Sequence, residues 1–278
     1  MNTFVRSWEL VKASWAVLRD EKELMVFPVV STIAVTIVMA SFAVPMILAG
    51  VFEGGFAEGL PLVGFVLAFL FYVLQYIVIF YCNSALIGAA LIRLDGGQPT
   101  LRDGFQIANR HFGAIVGYAL LSATVGVILR SVAQRGFIGR LIASIFGFAW
   151  SLATFLAVPI LVVEGIGPLE AVKRSTQLLK KTWGEQIVGN VGLGAAFGVI
   201  AIAMSLLFVG GLFVAVNTHS TALIIGAVAV FVVALIALGL VGSTLSAIYT
   251  AAVYRYATKG AGGAGFAPAL VSEAFRAR

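Results

Sequence analysis

The chain has 278 residues, of which 61% are hydrophobic and 11% charged. Soluble domains run at about 45–50% apolar and about 25% charged. A soluble monomer of this make-up would expose apolar patches that monomers avoid, so the composition excludes a water-soluble fold and points to an integral membrane protein. There are 18 Lys and Arg against 12 Asp and Glu, a net charge of +6. These bases stand at the ends of apolar runs, where headgroups are met. A nucleic-acid binder instead needs a basic face on a soluble domain.

Taken in chain order, the first 23 residues are charged throughout, and the apolar run behind them is too long for a signal-peptide core. The first hydrophobic segment is therefore expected to stay in the mature protein. Within the leading stretch, Phe4, Trp8, Val11, Trp15 and Leu18 recur at helical spacing, with Arg6, Glu9 and Arg19 opposite. This predicts an amphipathic helix lying in the membrane interface. Two charge-free runs follow, 24–52 and 59–92, each long enough to span a core of ~30 Å.

A second amphipathic segment places Leu101, Phe105, Ala108 and Phe112 on one face and Arg102, Gln106 and Asn109 on the other. Thr100 and Asp103 have capping-box spacing, with Asp in place of the usual Glu. Runs 111–129 and 141–163 follow. A third segment places Leu169, Val172, Thr176, Leu179 and Trp183 opposite Lys173, Arg174 and Lys181, with Pro168 suited to its first turn. The last charge-free run, 186–254, holds 69 residues, too many for one span. Gly210, Gly211 and the polar group Asn217-Thr218-His219-Ser220 are read as dividing it. That makes six transmembrane helices; barrel strands, which alternate apolar and polar, are excluded.

The reading is an all-α polytopic membrane protein built as three elbow-plus-hairpin units, 1–98, 99–165 and 166–258. Together they form a single transmembrane domain (1–258), with 259–278 a flexible linker and short amphipathic tail. Two stretches of the first and third units match. Arg6-Ser7-x-x-Leu10-x-Lys12-x-Ser14-Trp15 aligns with Arg174-Ser175-x-x-Leu178-x-Lys180-x-Thr182-Trp183, and Ser84-Ala85 through Ile92-Arg93 with Ser246-Ala247 through Tyr254-Arg255. Two spans per unit keep the units parallel, so an internal-repeat axis would run along the membrane normal; convergence of separate elbows is the alternative. With both termini cytoplasmic, the inner segments carry 15 of the 18 bases and the outer loops only Arg130, Arg135 and Arg140. The positive-inside rule selects that orientation in a bacterial inner (cytoplasmic) membrane.

The motifs Asn83-Ser84-Ala85-Leu86, Asp103-Gly104 with Ala108 and Arg110, and Thr124-Val125-Gly126 with Arg130 resemble an uncharacterised family of bacterial multi-span membrane proteins, a domain of unknown function. Trp150-Ser151 with Thr154 and Pro159, Glu164-Gly165-x-Gly167-Pro168-x-Glu170-Ala171-x-x-Arg174-Ser175, Thr182-Trp183-Gly184-Glu185 and Tyr254-Arg255-Tyr256-Ala257 complete the resemblance. The stretch from Glu164 to Glu185 is also similar to an elbow in membrane domains attached to glycerophosphodiester phosphodiesterases. No soluble phosphodiesterase domain is present, so the resemblance implies an architecture and no reaction.

Few residues carry chemistry. Cys82 is the single cysteine, which excludes an internal disulfide; His111 and His219 are too few and too far apart for a metal site, and no cofactor is expected. Gly260-x-Gly262-x-x-Gly265 fits a dinucleotide fingerprint as text but lacks the strand before it, and reads as a linker. Gly242-Ser243 has no base at a matching depth. The chain is therefore read as not an enzyme. Gln75, Asn83, Trp150, Ser151, Thr154, Ser243 and Ser246 are candidates for an intramembrane polar lining, against the plainer reading of helix–helix hydrogen bonds worth about 0.6 kcal/mol each. Pro45 and Pro159 free backbone carbonyls inside spans; Gly113-x-x-x-Gly117 and Gly194-x-x-x-Gly198 allow close helix approach. Arg93, Glu164 and Arg255 end the three hairpins and are a candidate charge cluster at the inner surface, against separate headgroup anchoring. Arg130, Arg135 and Arg140 are candidate outer anion or headgroup contacts.

Two functions compete. One is non-catalytic organisation of lipids or membrane partners; the other is a channel or carrier subunit for a small solute or lipid. Membrane lipids are the expected partners, with a homo-oligomer or another membrane protein open, and no nucleic acid. The topology predicts that cysteines placed at Glu58 and Asn217 label from outside intact cells while one at Lys181 does not. Outside labelling at Lys181 would overturn it.

Overall fold

The computed structural model describes residues 3–48, 61–183, 192–218, 220–260 and 263, and every regular element among them is helical. Helix α1 (Thr3–Asp20) passes through a 3-10 turn (Lys22–Met25) into α2 (Val26–Leu48), and α3 (Pro61–Leu94) completes the first hairpin. Helix α4 (Leu101–Arg110) leads into α5 (Phe112–Ala133), α6 (Gly136–Ala153) and α7 (Ala157–Glu164). Helix α8 (Pro168–Trp183) leads into α9 (Gly192–Asn217) and α10 (Thr221–Lys259). Six stretches are long and apolar enough to cross a membrane: Lys22–Ile47, Val63–Leu94, Phe112–Ala133, Gly136–Glu164, Phe197–Asn217 and Thr221–Lys259. The chain is a multi-pass membrane protein of the all-α class, with an elbow helix before each pair of spans.

The long last run divides in one place only. Gly210 and Gly211 lie inside α9, and the helix continues to Asn217. A helical glycine costs about 0.5–1 kcal/mol, less than leaving backbone groups unpaired in hydrocarbon. The division falls at the polar group instead. There the Asn217 amide donates to the Phe213 carbonyl and Thr218 to that of Ala215, and Ser220 caps α10. His219 lies outside the described residues.

Each elbow packs on a hairpin other than the one it introduces. Helix α4 lies on α3, α8 lies on α7 with α5 and α6, and α1 lies on α9 and α10. The three elbows thus hand each unit to the one before it in a closed cycle. Their buried stripes include small residues, Gly104 and Ala108 on α4, Ala171 and Ser175 on α8, Ala13 and Ser14 on α1, joined on α1 by Val17 and Leu18 and on α8 by Leu178 and Leu179. A Cβ on Gly104 would sit 2.5 Å from the Phe27 ring and 2.7 Å from the Ala85 carbonyl. The capping box starts α4 as the spacing suggests: the Thr100 backbone N–H donates to Asp103 at 2.9 Å, and the Asp103 N–H to the Thr100 hydroxyl at 3.3 Å.

The bulky residues assigned to the elbows' apolar faces divide between two environments. Leu18, Ala108 and Leu179 are buried, whereas Trp15, Phe112 and Leu169 are exposed. On α1 and α8 the stripe that enters the protein lies beside the expected one and joins small residues, which let helices approach closely, to Val17, Leu18, Leu178 and Leu179. The side chains of Phe4, Arg6, Trp8, Val11 and Trp183 lie outside the described set.

The second spans of the three hairpins, α3, α7 and α10, meet at the centre. Ala85, Ala89 and Ala90 of α3 and Ala247, Ala251 and Ala252 of α10 are all buried. These are the matching stretches of the two units, and they serve one close helix crossing. The core extends through Leu86, Ile87, Ile115, Ile160, Leu161 and Ile248. All of it lies in the half of the bundle next to the elbows. In the other half the spans diverge: Ile37, Phe65, Phe146, Leu207 and Val230 are exposed.

Span four is broken. Pro159 lacks an N–H, and its ring would meet the carbonyl four residues back, at Phe155. Helix α6 accordingly ends at Ala153 and α7 begins at Ala157. The break releases the N–H of Leu156, a fully buried residue, and the Ser175 hydroxyl of α8 accepts it at 3.1 Å. An elbow side chain thus satisfies a backbone donor that the kink exposes.

Two substitutions test this packing. Ser175→Ala leaves the Leu156 N–H unsatisfied and should cost about 1–3 kcal/mol, read as a lower melting temperature in detergent. Gly104→Ala should destabilise by about 1–3 kcal/mol through overpacking. Gly113→Ala, where a Cβ meets open space, should be neutral or slightly stabilising. Equal melting temperatures for the two glycine variants would refute the α4 contact.

Candidate functional site

The diverging spans leave a cavity of about 720 Å³ at the centre, walled by α2, α3, α5 and α10 and by the break between α6 and α7. Four of the seven residues assigned to a polar lining meet there: Asn83, Thr154, Ser243 and Ser246. The break in span four is what turns Thr154 and Phe155 into the cavity. Gln75 lies outside it and donates to the Val35 carbonyl of α2 at 3.4 Å, a helix–helix bond. Trp150 and Ser151 also lie outside. The Trp150 carbonyl accepts from the Thr154 hydroxyl, and Ser151 donates to the Phe148 carbonyl. They sit on α6, above the break, where the helix has already turned away.

Thr250, a polar position of the same span as Ser243 and Ser246, joins them, and the residues missed in the sequence come from α2: Ser31, Thr32 and Thr36. Their signal was a polar position every four or five residues along an otherwise apolar span. Most of the hydroxyls lining the cavity bond back to their own helix. Thr32 donates to Pro28, Thr36 to Thr32, Ser243 to Leu240 and Thr250 to Ser246, all at 2.8–3.0 Å. Their donors are satisfied and their lone pairs face inward. Asn83 differs, because its carboxamide has no hydrogen-bond partner among the described residues. No Lys, Arg, Asp or Glu is among the described residues lining this cavity.

The charges at the hairpin ends do not form the cluster expected of Arg93, Glu164 and Arg255. Arg93 pairs with Asp20 at 3.3 Å and Glu21 at 3.4 Å, where α1 ends. Glu164 pairs with Arg174 of α8 at 3.4 Å and accepts from the Tyr254 hydroxyl at 3.3 Å. Arg255 pairs with Asp95 at 2.8 Å, and Lys259 joins the same carboxylate at 3.2 Å. Each end finds a nearer acid or base on the elbow side, so no two arginines compete for Glu164. Burial would raise the Asp95 carboxyl, but hydrogen bonds and charge from Lys259 and Arg255 outweigh it and hold it below the usual carboxylate value. Gly260 ends α10 in a left-handed conformation. Gly263, in the stretch read as a linker, lies so close to Leu94 and Arg255 that a Cβ would come within 2.5–2.9 Å of them. The tail from 264 to 278 lies outside the described residues.

Arg130, Arg135 and Arg140 stand at the opposite face, around the α5–α6 turn, and all three are exposed. Arg130 donates to the Tyr72 hydroxyl and lies over the Tyr72 ring at 5.9 Å. It borders an apolar cleft of about 600 Å³ between α2, α3 and α5, lined by Met39, Phe42, Phe65 and Phe71. A second cleft of about 590 Å³ lies on the elbow side between α1, α9 and α10. There Lys12, Trp15 and Arg19, with Asp20 beside them, face Phe197, Ile200 and Leu238.

These pairings predict two measurements. A double-mutant cycle of Glu164→Gln with Arg174→Gln should show coupling of about 0.2–1 kcal/mol, as for a partly exposed pair. Cycles with Arg93→Gln or Arg255→Gln should be additive within error. The Asp95 pairing stabilises the fold above its unfolded pKa and is lost as pH falls. The melting-temperature advantage of the wild type over Asp95→Asn should therefore be full at pH 7 and shrink below about pH 4.

Comparison with curated proteins gives no match. Residues 62–266, from the first turn of α3 to beyond the end of α10, match the family described as "Family of unknown function (DUF6159)". That match covers most of the chain, and the chain belongs to this family.

Proposed function

We propose that this chain is a non-catalytic protein of the bacterial cytoplasmic membrane that binds and organises membrane lipids, with its elbows toward the cytoplasm. One observation carries the reading: on each side of the bundle an apolar cleft closes on cationic side chains. Arg130 with Tyr72 borders one, and Lys12 and Arg19 border the other. A guanidinium beside an apolar wall matches a phospholipid, whose phosphate sits directly above its acyl chain. The charge bias supports the orientation, since among the described residues 13 Lys and Arg fall in the segments on the elbow side and three, Arg130, Arg135 and Arg140, on the other. A central cavity whose described lining carries no charge argues against a carrier of ions, which would concentrate intramembrane charge on the path.

The full chain, purified in mild detergent from phosphatidylethanolamine–phosphatidylglycerol vesicles, should retain phosphatidylglycerol, measured by lipid extraction and mass spectrometry. Arg130→Leu should lower the retained amount several-fold without lowering the melting temperature. Protein that keeps no phospholipid, or a wild-type rate of solute flux well above empty liposomes, would overturn the proposal.

A further inference from the structure

The central cavity differs in chemistry from the two cationic clefts. Asn83 lies ten residues from Arg93 along α3, about 15 Å at 1.5 Å per residue. In a core of ~30 Å that is near the midplane. An amide there, with two N–H donors and one carbonyl acceptor unpaired, is costly unless a ligand answers it. Five of the surrounding hydroxyls, those of Thr32, Thr36, Thr154, Ser243 and Thr250, have given their protons to their own helices, so these can only accept. A complementary ligand must therefore bring at least one O–H donor and at least one acceptor oxygen.

That ligand must also be uncharged. No side chain lining the cavity could neutralise a phosphate, a carboxylate or an ammonium, and a bare charge at the midplane is strongly unfavourable. Its remaining surface must be largely apolar, because beside Cys82 and Tyr118 the rest of the wall is apolar, with Val35, Ile79, Phe80, Phe155 and Leu240 prominent in it. The volume falls in the range of small-molecule sites and suits a head with the upper part of its chains. Thr32 and Thr36 of α2 and Ile236, Gly239, Ser243 and Ser246 of α10 are exposed at the rim. The cavity thus opens sideways between α2 and α10, toward the bilayer, and chains can continue outward.

We propose that the cavity around Asn83 binds the neutral, hydroxyl-bearing head of a membrane lipid of the diacylglycerol class. The free hydroxyl donates to the Asn83 carbonyl or a serine lone pair, and an ester carbonyl accepts from the Asn83 amide. This rests on the lipid-binding reading but names a different site and a different head from the cationic clefts.

The test uses the full chain in phosphatidylcholine liposomes with a photoreactive, clickable dioleoylglycerol. Labelling should map to peptides of α2, α3 or α10 that line the cavity. Unlabelled dioleoylglycerol should compete, while free glycerol and dioleoylphosphatidylglycerol should not. Asn83→Leu, close to isosteric, should reduce labelling at least fivefold, and Arg130→Leu should leave it unchanged. Competition by free glycerol would assign the cavity to a soluble polyol, and competition by phosphatidylglycerol would erase its selectivity; either overturns the proposal. So does labelling that survives both excess dioleoylglycerol and Asn83→Leu. The competition arm needs no variant and decides the matter even if Asn83→Leu fails to fold. Phospholipid retention that depends on Arg130, alongside an unlabelled cavity, would leave the broader lipid-binding reading standing and remove only this site.

Discussion

The fold depends on the cyclic exchange of its elbows. No hairpin covers its own elbow. Helix α4 is held by the first hairpin, α8 by the second and α1 by the third, so no unit can complete its packing until the next is in place. The small-residue stripes of the elbows, such as Gly104 and Ala108 or Ala171 and Ser175, fit this exchange. In a bilayer the lipid is as apolar as the side chains, and helices associate through close packing and hydrogen bonds instead of through burial. Elbows at one face tie the ends of the three central helices together where both forces are available. That accounts for a dense half beside the elbows and an open half beyond it.

The break in span four converts that asymmetry into a cavity. A continuous helix from 136 to 164 would have carried α6 along the same axis as α7, against the centre. Pro159 prevents it, and the freed Leu156 N–H is stable only because Ser175 reaches it. Below the break α7 joins α3 and α10; above it α6 leans on α5. The space left is bounded by α2, α3 and α10. A proline inside a span is tolerated in membranes when a neighbour answers the released groups, and here the neighbour belongs to the next unit.

The spans and the elbows were legible because each rests on a one-dimensional pattern: a long charge-free window, or an apolar stripe at helical spacing. The capping box at Thr100 and the proline start of α8 were legible for the same reason. The match between Ser84–Arg93 and Ser246–Arg255 marked stretches whose alanines do meet the core. What the pattern could not supply was rotation about each axis and the order in which helices meet. Arg93, Glu164 and Arg255 shared a depth, and depth alone suggested that they shared a partner. Their actual partners, Asp20, Glu21, Arg174 and Asp95, follow from which elbow lies over which hairpin. Asn83, Thr154, Ser243 and Ser246 were found as polar positions in apolar spans, whereas Trp150 and Ser151 carried the same signal on the wrong side of a kink.

The distribution of charge is the last constraint on what this architecture does. The ion pairs among the described residues lie at the elbow face, and the described lining of the central cavity carries none. Acids and bases that could have served a transport path are committed to joining helix ends, where screening keeps each pair weak and the helix packing fixes its geometry. The cavity is left with dipoles: hydroxyl oxygens, most with protons that point back along their helices, and one carboxamide with both functions unused. Dipoles of this kind orient an uncharged group without holding an ion, and they do so at a depth that only an uncharged group reaches cheaply. The same sequence economy that keeps charge at the face therefore sets the polarity of the ligand that the interior can accept.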